Sequence, residues 1–278
     1  MRTTIISVTH NSARVVQDMI ASVPEEAPLI VVDNASQDAT TEIIAQNPRV
    51  QFIDAPKNEG FGRACNRGAG QAETEFLVFL NPDARLMPKA LDALESAADQ
   101  NPSMGAANPI LYNGKGQARL KTTSPLRLPA CPLPRLDRLS EMPVLMGSAF
   151  FVRRRAFEAI GGFDPAIFLY HEDHDLSLRL RQAGWTLWHV PQAQAQHIAG
   201  TGSARSPETA WFKGYHMARS RYYLINKASP GHGFRRSFWP AFWGLLLPHT
   251  LLSRRRRFKA LGQLQGALSA RQDGGKFV

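Results

Sequence analysis

The chain has 278 residues, 44% hydrophobic and 20% charged, which supplies a full core and excludes a disordered chain or a coiled coil. Its two cysteines, Cys65 and Cys131, exclude a disulfide scaffold and cannot by themselves build a thiolate metal site. The net charge of +10 is a C-terminal property: residues 1–204 carry 19 Lys and Arg against 21 Asp and Glu, and residues 205–278 carry 14 against 2. Such asymmetry points to an anionic surface, either nucleic acid or a membrane face.

The opening MRTTIISVTH reads as a strand with no apolar leader ahead of it, and no run approaches the ~20 apolar residues of a spanning helix. A reducing, cytoplasmic setting is therefore expected. Residues 3–8, 29–32, 50–54 and 75–80 predict strands, and residues 12–22, 38–46, 60–71 and 88–100 carry helical patterns between and after them. This alternation predicts an α/β fold with a mostly parallel sheet covered on both faces. Residues 113–143, rich in Pro, Arg and Leu, predict a long loop and a candidate lid. Strands are predicted over 144–152 and 185–190, with a helix over 172–182 between them. Two domains are expected, 1–204 and a helical, basic, apolar and aromatic extension over 205–278.

Ligands of an open α/β sheet bind outside the carboxyl ends of its strands. Polar clusters stand at four successive predicted ends: Thr9-His10-Asn11, Asp33-Asn34-Ala35-Ser36, Asn58-Glu59-Gly60-Phe61-Gly62 and Asn81-Pro82-Asp83. They are expected to converge on one crevice. Asp33 can accept from a nucleobase imide or a ribose hydroxyl, or it can close an Asx turn; taken alone, the turn is the better account. The Gly60–Cys65 stretch lacks the third glycine of a dinucleotide fingerprint and follows the third strand, so that fingerprint is rejected. Asp83, after an apolar strand, suits a divalent cation shared with a diphosphate, and a Pro-Asp turn explains it equally well.

His171-Glu172-Asp173-His174-Asp175 opens a predicted helix. Acidic residues there complement the helix dipole, or Asp173 serves as a general base toward an attacking hydroxyl. His171 and His174 share a helical face, but no closing ligand pair accompanies them. His197 can add a neutral imidazole to a metal, or it is an ordinary exposed histidine. Residues 237–252, SFWPAFWGLLLPHTLL, are apolar but interrupted by Pro240 and Pro248, and Arg254–Arg257 follow at once. A Trp-rich patch beside a basic cluster reads as an interfacial anchor on an anionic membrane, with a core helix pair as the other account. No nucleic-acid-binding motif accompanies the basic tail, so no nucleic-acid partner is expected.

Together, these motifs resemble family 2 glycosyltransferases of the GT-A fold. The run includes Val32-Asp33-Asn34-Ala35-Ser36-x-Asp38, Asn58-x-Gly60-Phe61-x-x-x-Asn66-x-Gly68 and Asn81-Pro82-Asp83. It continues with Gly161-Gly162-Phe163-Asp164-Pro165, Phe168-x-Tyr170-x-Glu172-Asp173-x-Asp175-Leu176-x-x-Arg179 and Ala183-Gly184-Trp185. The order over about residues 3–200 is similar to bacterial rhamnosyltransferases that build cell-surface polysaccharide. The resemblance implies an inverting enzyme with a divalent cation, Mn²⁺ or Mg²⁺, and a nucleotide-sugar donor. The donor favoured is dTDP-rhamnose, with a UDP-sugar and another hexosyl or galactofuranosyl transfer as the alternative. It implies a glycan acceptor, and the Trp-rich, basic C-terminal segment, if it faces the membrane, places the site near a lipid-linked one at the inner face of the cell membrane. Donor contacts would come from Thr9, Asn11, Asp33, Asn58, Gly60, Phe61, Asn66, Asn81 and Glu172. Asp83 would hold the metal, with His197 as a distal ligand, and Asp173 would be the base. Asn81 departs from the first acidic position of the family's DxD-type motif. A nucleotidyltransferase would carry a basic, glycine-rich loop after the first strand, which residues 9–13 lack. A non-catalytic membrane- or nucleic-acid-binding protein on the same fold is the rival of another class.

Overall fold

The computed structural model describes residues 1–128, 131–198 and 206–277. Its first elements are β1 (Thr3–Thr9), α1 (Val16–Ser22), β2 (Leu29–Asp33), α2 (Thr40–Ala45), β3 (Val50–Asp54), α3 (Phe61–Ala69) and β4 (Phe76–Leu80), the alternation the sequence predicts. There follow β5 (Ala84–Leu86), α4 (Ala90–Gln100), β6 (Met104–Tyr112), β7 (Ala118–Arg119), β8 (Ser140–Glu141), β9 (Ala149–Arg153) and α5 (Arg154–Ala159). The remainder is α6 (Glu172–Gln182), β10 (Thr186–His197), α7 (Pro207–Ala228), α8 (Gly233–Leu245), α9 (Pro248–Leu251) and α10 (Arg254–Asp273).

The chain divides into two compact units. The sheet unit comprises Met1–Thr123, Leu128–Phe163 and Leu176–Ser203; the helical unit comprises Ser124–Arg127, Asp164–Asp175 and Ala204–Val278. The expected boundary after residue 204 lies outside the described residues. The helical unit also takes in Asp164–Asp175, a segment the sequence places with the catalytic domain.

The sheet unit carries one 10-stranded sheet in the order β3-β2-β1-β4-β9-β6-β10-β5, with β7 on β6 and β8 on β10. β3, β2, β1 and β4 are parallel, and so are β6 and β10, while β9 runs antiparallel between β4 and β6. Successive residues of the central strands feed opposite faces. Ile5, Val31, Val78 and Phe76 join Met19, Leu91 and Leu94 on one side. Ile6, Ile30, Leu77 and Phe79 join Cys65, Phe157, Leu176 and Leu180 on the other. Burial on both faces accounts for apolar runs without alternation. On α3, the small residues Gly62, Ala64, Cys65 and Gly68 are the buried face. A Cβ on Gly68 would lie 2.6 Å from Ile6 Cγ2, so this glycine admits the helix to the sheet.

Two expectations are corrected. The strand predicted over 144–152 exists only as Ala149–Arg153. Ahead of it, Leu145 N donates to Ser177 Oγ and Met146 N to Asn108 Oδ1, so side chains satisfy that backbone instead of a ladder. The strand predicted over 185–190 runs on to His197, and β6 beside it was not expected. Pro109 lies inside β6, and the register against β10 slips between Val190 and Gln194, which is how a central strand accommodates proline. Within 113–143, the described residues include only the short pairs β7 and β8.

In the helical unit, α7 and α10 pack closely through small residues. Ala210, Gly214 and Ala218 recur every four residues on α7, as do Gly262, Gly266 and Ala270 on α10, and all are buried. A Cβ on Gly214 would strike the Lys259 backbone, and one on Gly262 or Gly266 would strike Trp211 or Tyr215. No described helix is long and apolar enough to cross a membrane.

Candidate active site

The strand order reverses direction between β1 and β4, because β2 and β3 lie on one side of β1 and β4 on the other. The carboxyl ends flanking such a reversal form the ligand crevice of open α/β sheets. Thr9-His10-Asn11 and Asn81-Pro82-Asp83 stand on its two sides.

The loops after β1, β2 and β3 are tied into one network. Asp33, wholly buried, accepts from Thr9 Oγ1 at 2.7 Å and from Ser36 Oγ at 2.6 Å on Oδ1, and from Ser36 N at 2.7 Å on Oδ2. These bonds close the turn after β2. Asn34 is the hub between loops. Its Nδ2 donates to Asn58 Oδ1 at 2.9 Å and to the Gly60 carbonyl at 3.2 Å, and its Oδ1 accepts from Glu59 N at 2.9 Å. Asn11, exposed and at φ 54, accepts from Gln37 N at 2.7 Å and donates its own N–H to Ser36 Oγ at 2.8 Å. Asp38 accepts from Ala13 N and Thr40, and these contacts, with several backbone amides, outweigh the effect of its burial and hold its carboxyl below the usual range.

Gly60 begins α3 at φ 86, a conformation open to glycine, and Phe61 meets Phe163 edge-on at 6.0 Å. Asn66 brackets the Phe163 peptide, donating to its carbonyl at 2.8 Å and accepting from its N–H at 2.9 Å. Its amide thus holds the Gly162-Phe163 turn within the sheet unit.

Asp83 and His197 come together at the other side of the reversal. β5 and β10 pair antiparallel with His197 opposite Ala84, and Ile198 N donates to the Asp83 carbonyl at 3.1 Å. This leaves Asp83 Oδ1 and His197 Nε2 3.2 Å apart, both partly exposed. An octahedral Mg²⁺ or Mn²⁺ with ligands at about 2.1 Å sets neighbouring donor atoms about 3 Å apart, so the pair fits two adjacent positions of such an ion. Among the described residues no group of three or more His, Cys, Asp or Glu could hold a metal ion. Asn81 lies at the end of β4, its N–H donating to the Ser148 carbonyl at 3.0 Å.

Glu172 and Asp173 belong to the helical unit, where they open α6. His174 N donates to Asp173 Oδ1 at 2.8 Å, and His174 Nδ1 lies 2.8 Å from Ser124 Oγ. Just ahead, Tyr170 and His171 both stand at φ 68, left-handed positions that cost about 1–3 kcal/mol each for residues with side chains. Such strain concentrates at functional sites and persists only where the surroundings enforce it. The segment is held by Lys227, whose Nζ lies 2.6 Å from Asp164 Oδ2 and 2.7 Å from Asp175 Oδ1, and by Tyr223 OH, 2.9 Å from Asp164 Oδ2. Burial alone would raise the Asp164 carboxyl, but the Lys227 ammonium, the Ala166 amide and the Tyr223 hydroxyl outweigh it and hold it below the usual range.

Comparison with known proteins gives these features a family. The model of glycosyl transferase family 2 matches residues 4–161, and that of glycosyl transferase family group 2 matches residues 133–262. The chain belongs to glycosyl transferase family 2. An N-acetylglucosaminyl-diphospho-decaprenol L-rhamnosyltransferase of Mycobacterium tuberculosis is 33% identical over 240 residues, covering 73% of this chain and 78% of the relative. The crystal structure of GalNAc-T7 with UDP, GalNAc and Mn²⁺ superposes with a TM-score of 0.61 at 17% identity, covering 96% of this chain and 56% of that one. A mannosyltransferase from Pyrobaculum calidifontis in complex with GDP-Man and Mn²⁺ superposes with a TM-score of 0.58 at 15% identity, covering 98% and 87%. The fold is accordingly the GT-A fold with a helical C-terminal region, and the chain is a rhamnosyltransferase-like glycosyltransferase.

In this glycosyltransferase nine of the residues expected from the sequence fall into three groups, while Phe61 and Asn66 meet Phe163 and Asn81 bonds to Ser148. Thr9, Asn11, Asp33, Asn58 and Gly60 share the polar network, Asp83 pairs with His197, and Glu172 and Asp173 open α6 in the helical unit. Two organising residues were not singled out. Asn34 stood in plain view within Asp-Asn-Ala-Ser, but its bonds reach Asn58 and Gly60, which spacing does not reveal. Lys227 carries no local motif at all.

Proposed function

We propose that the enzyme transfers a sugar, with inversion, from a nucleoside-diphosphate donor to a hydroxyl of a lipid-linked or cell-surface glycan. Rhamnose from dTDP-rhamnose is the favoured transfer, supported by the identity to the mycobacterial rhamnosyltransferase; a UDP-sugar is the alternative. The observation that carries the donor half is the Asp83–His197 pair, 3.2 Å apart beside the reversal of strand order. Asp83 and His197 would hold Mn²⁺ or Mg²⁺, and a bound cation there supplies charge neutralisation for the departing diphosphate. Thr9, Asn11, Asp33, Asn58, Gly60 and Phe61 shape the donor crevice, with the buried Asp33 carboxylate fixing the turn beneath the nucleobase through Thr9 and Ser36. Asn81 and Glu172 contribute donor contacts, and Asn66 acts through the Phe163 turn it brackets.

Asp173 takes the proton of the acceptor hydroxyl. The hydroxyl oxygen forms the new bond to C1 as the bond from C1 to the phosphate oxygen breaks, its electron pair leaving with the nucleoside diphosphate. Attack on the opposite face inverts the anomeric centre, and one base suffices without an enzyme nucleophile. The charge build-up on C1 is oxocarbenium-like, as in glycoside hydrolysis.

The acceptor is met at the inner, anionic face of the cell membrane. Supporting this, Trp239, Trp243, Leu246, Leu247, Leu251 and Leu252 are exposed along α8 and α9, and Arg254–Arg257 follow at the start of α10. Sedimentation with vesicles containing anionic lipid should carry the wild type down, and W239S/W243S should stay in the supernatant.

Nucleoside-diphosphate release across a panel of nucleotide sugars, with Mn²⁺, Mg²⁺ or EDTA, tests the catalytic part. Metal-dependent release from dTDP-rhamnose is expected. Release from no donor, together with no nucleotide binding by calorimetry, overturns the assignment of the crevice.

A further inference from the structure

The segment Asp164–Asp175 ends on the proposed base and its neighbours, yet several of its hydrogen-bond partners come from residues far along the chain. α7 presents Phe212, His216, Ser220, Tyr223 and Lys227 at helical spacing, and each meets this segment. Phe168 packs tilted against His216 at 4.3 Å and against Phe277 at 4.6 Å. Ser220 Oγ donates to the Leu169 carbonyl at 2.8 Å, and Phe277 N to the Ala166 carbonyl at 2.8 Å.

Lys227 differs from the other contacts because it bridges both ends. Asp164 and Asp175 flank the strained pair Tyr170 and His171 as well as Glu172 and Asp173, and one ammonium pins both carboxylates. Asp175 is 3% exposed, a buried carboxylate paired with this cation. A segment with two consecutive left-handed residues relaxes unless its ends are fixed. Relaxation would displace the first turn of α6, and about 1 Å of displacement at a reacting group can cost about a hundredfold in rate.

We propose that Lys227 is a positioning residue for sugar transfer, clamping Asp164 to Asp175 so that Asp173 stands correctly toward the acceptor hydroxyl. This rests on Asp173 being the general base. The hydrogen bonds of Lys227 go to Asp164 and Asp175, and of the proposed donor contacts only Glu172 lies in the clamped segment, so removal of Lys227 acts mainly on turnover and takes at most a small part of nucleotide binding.

The test compares full-length wild type, K227M, K227R, Y223F and D173N by steady-state transfer from dTDP-rhamnose with Mn²⁺, and by calorimetric binding of dTDP. For K227M, kcat should fall on the order of 10- to 100-fold while donor KM and dTDP affinity stay within about twofold. K227R, which restores a cation able to reach two carboxylates, should recover to within about threefold of wild type. A kcat for K227M within twofold of wild type overturns the proposal, as does a parallel loss of dTDP binding or a K227R no better than K227M. Should K227M fail to fold, Y223F decides: a fall of about threefold in kcat is expected, and a wild-type kcat overturns the clamp. D173N separates the two levels. Wild-type turnover in D173N removes the base assignment itself, whereas loss in D173N with none in K227M or Y223F removes only the clamp.

Discussion

The loops at the strand ends of the sheet unit and the Asp164–Asp175 segment of the helical unit are held in opposite ways. In the loops, the organising bonds span short distances in sequence: Asp33 reaches Thr9 across 24 residues, and Asn34 reaches Asn58 across 24. Neighbouring parallel strands bring successive βα turns together, so each turn's polar side chains satisfy the next turn's backbone. The Asp164–Asp175 segment is fixed instead by Ser220, Tyr223 and Lys227, 51 to 63 residues later. The proposed donor side is thus preorganised by its own scaffold. The segment bearing the proposed base depends on α7 for its fastenings.

The largest expected effect separates chemistry from binding. D173N should lower kcat by about 10²–10⁴-fold with dTDP affinity unchanged, measured by transfer kinetics and calorimetry; equal loss in both would move Asp173 from the base to the donor site. On the sheet side, D83A and H197A should each raise the half-saturating Mn²⁺ concentration by on the order of tenfold or more, read from activity against metal concentration. A variant with an unchanged metal requirement would free that residue from the ion.

N34A sharpens the contrast in the loops. It removes the Asn34 partner of Glu59 N and one of two donors each to Asn58 Oδ1 and the Gly60 carbonyl, so about 1–3 kcal/mol of stability should be lost in denaturant titration and dTDP binding should weaken. The smallest effect is a pH dependence in the helical unit. Burial, with repulsion from Arg219 second, lowers His216 from its ordinary value to about 4. Between about 6.5 and about 4 the unfolded chain takes up a proton that the folded chain refuses, so stability falls as pH falls through that window. H216F, which keeps a ring against Phe168, should flatten the slope in thermal melts from pH 7 to pH 4.5.

Strands β1 to β4 and their polar ends were legible because buried parallel strands write themselves as short apolar runs followed by polar turns. β6 was not, since MGAANPILY contains Gly105, two alanines and Pro109 where a strand pattern calls for branched residues. Gly105 is small for a tertiary reason, because a Cβ there would lie 2.5 Å from Trp185 Cβ. Among candidate residues, Asp83 and His197 were legible separately, and only the antiparallel β5–β10 pairing makes them neighbours. Lys227 was invisible because its partners lie across the fold and its local sequence is an ordinary basic helix.

The distance along the chain between Asp164–Asp175 and its fastenings also sets an order in time. During synthesis the strands and the turns of the donor network emerge with their partners close behind, and at about 5–20 residues per second those contacts can form within seconds of one another. Asp164 must wait for Tyr223 and Lys227, and Ala166 for Phe277. The turns after β1, β2 and β3 can therefore close among themselves while the proposed base still lacks its fastenings.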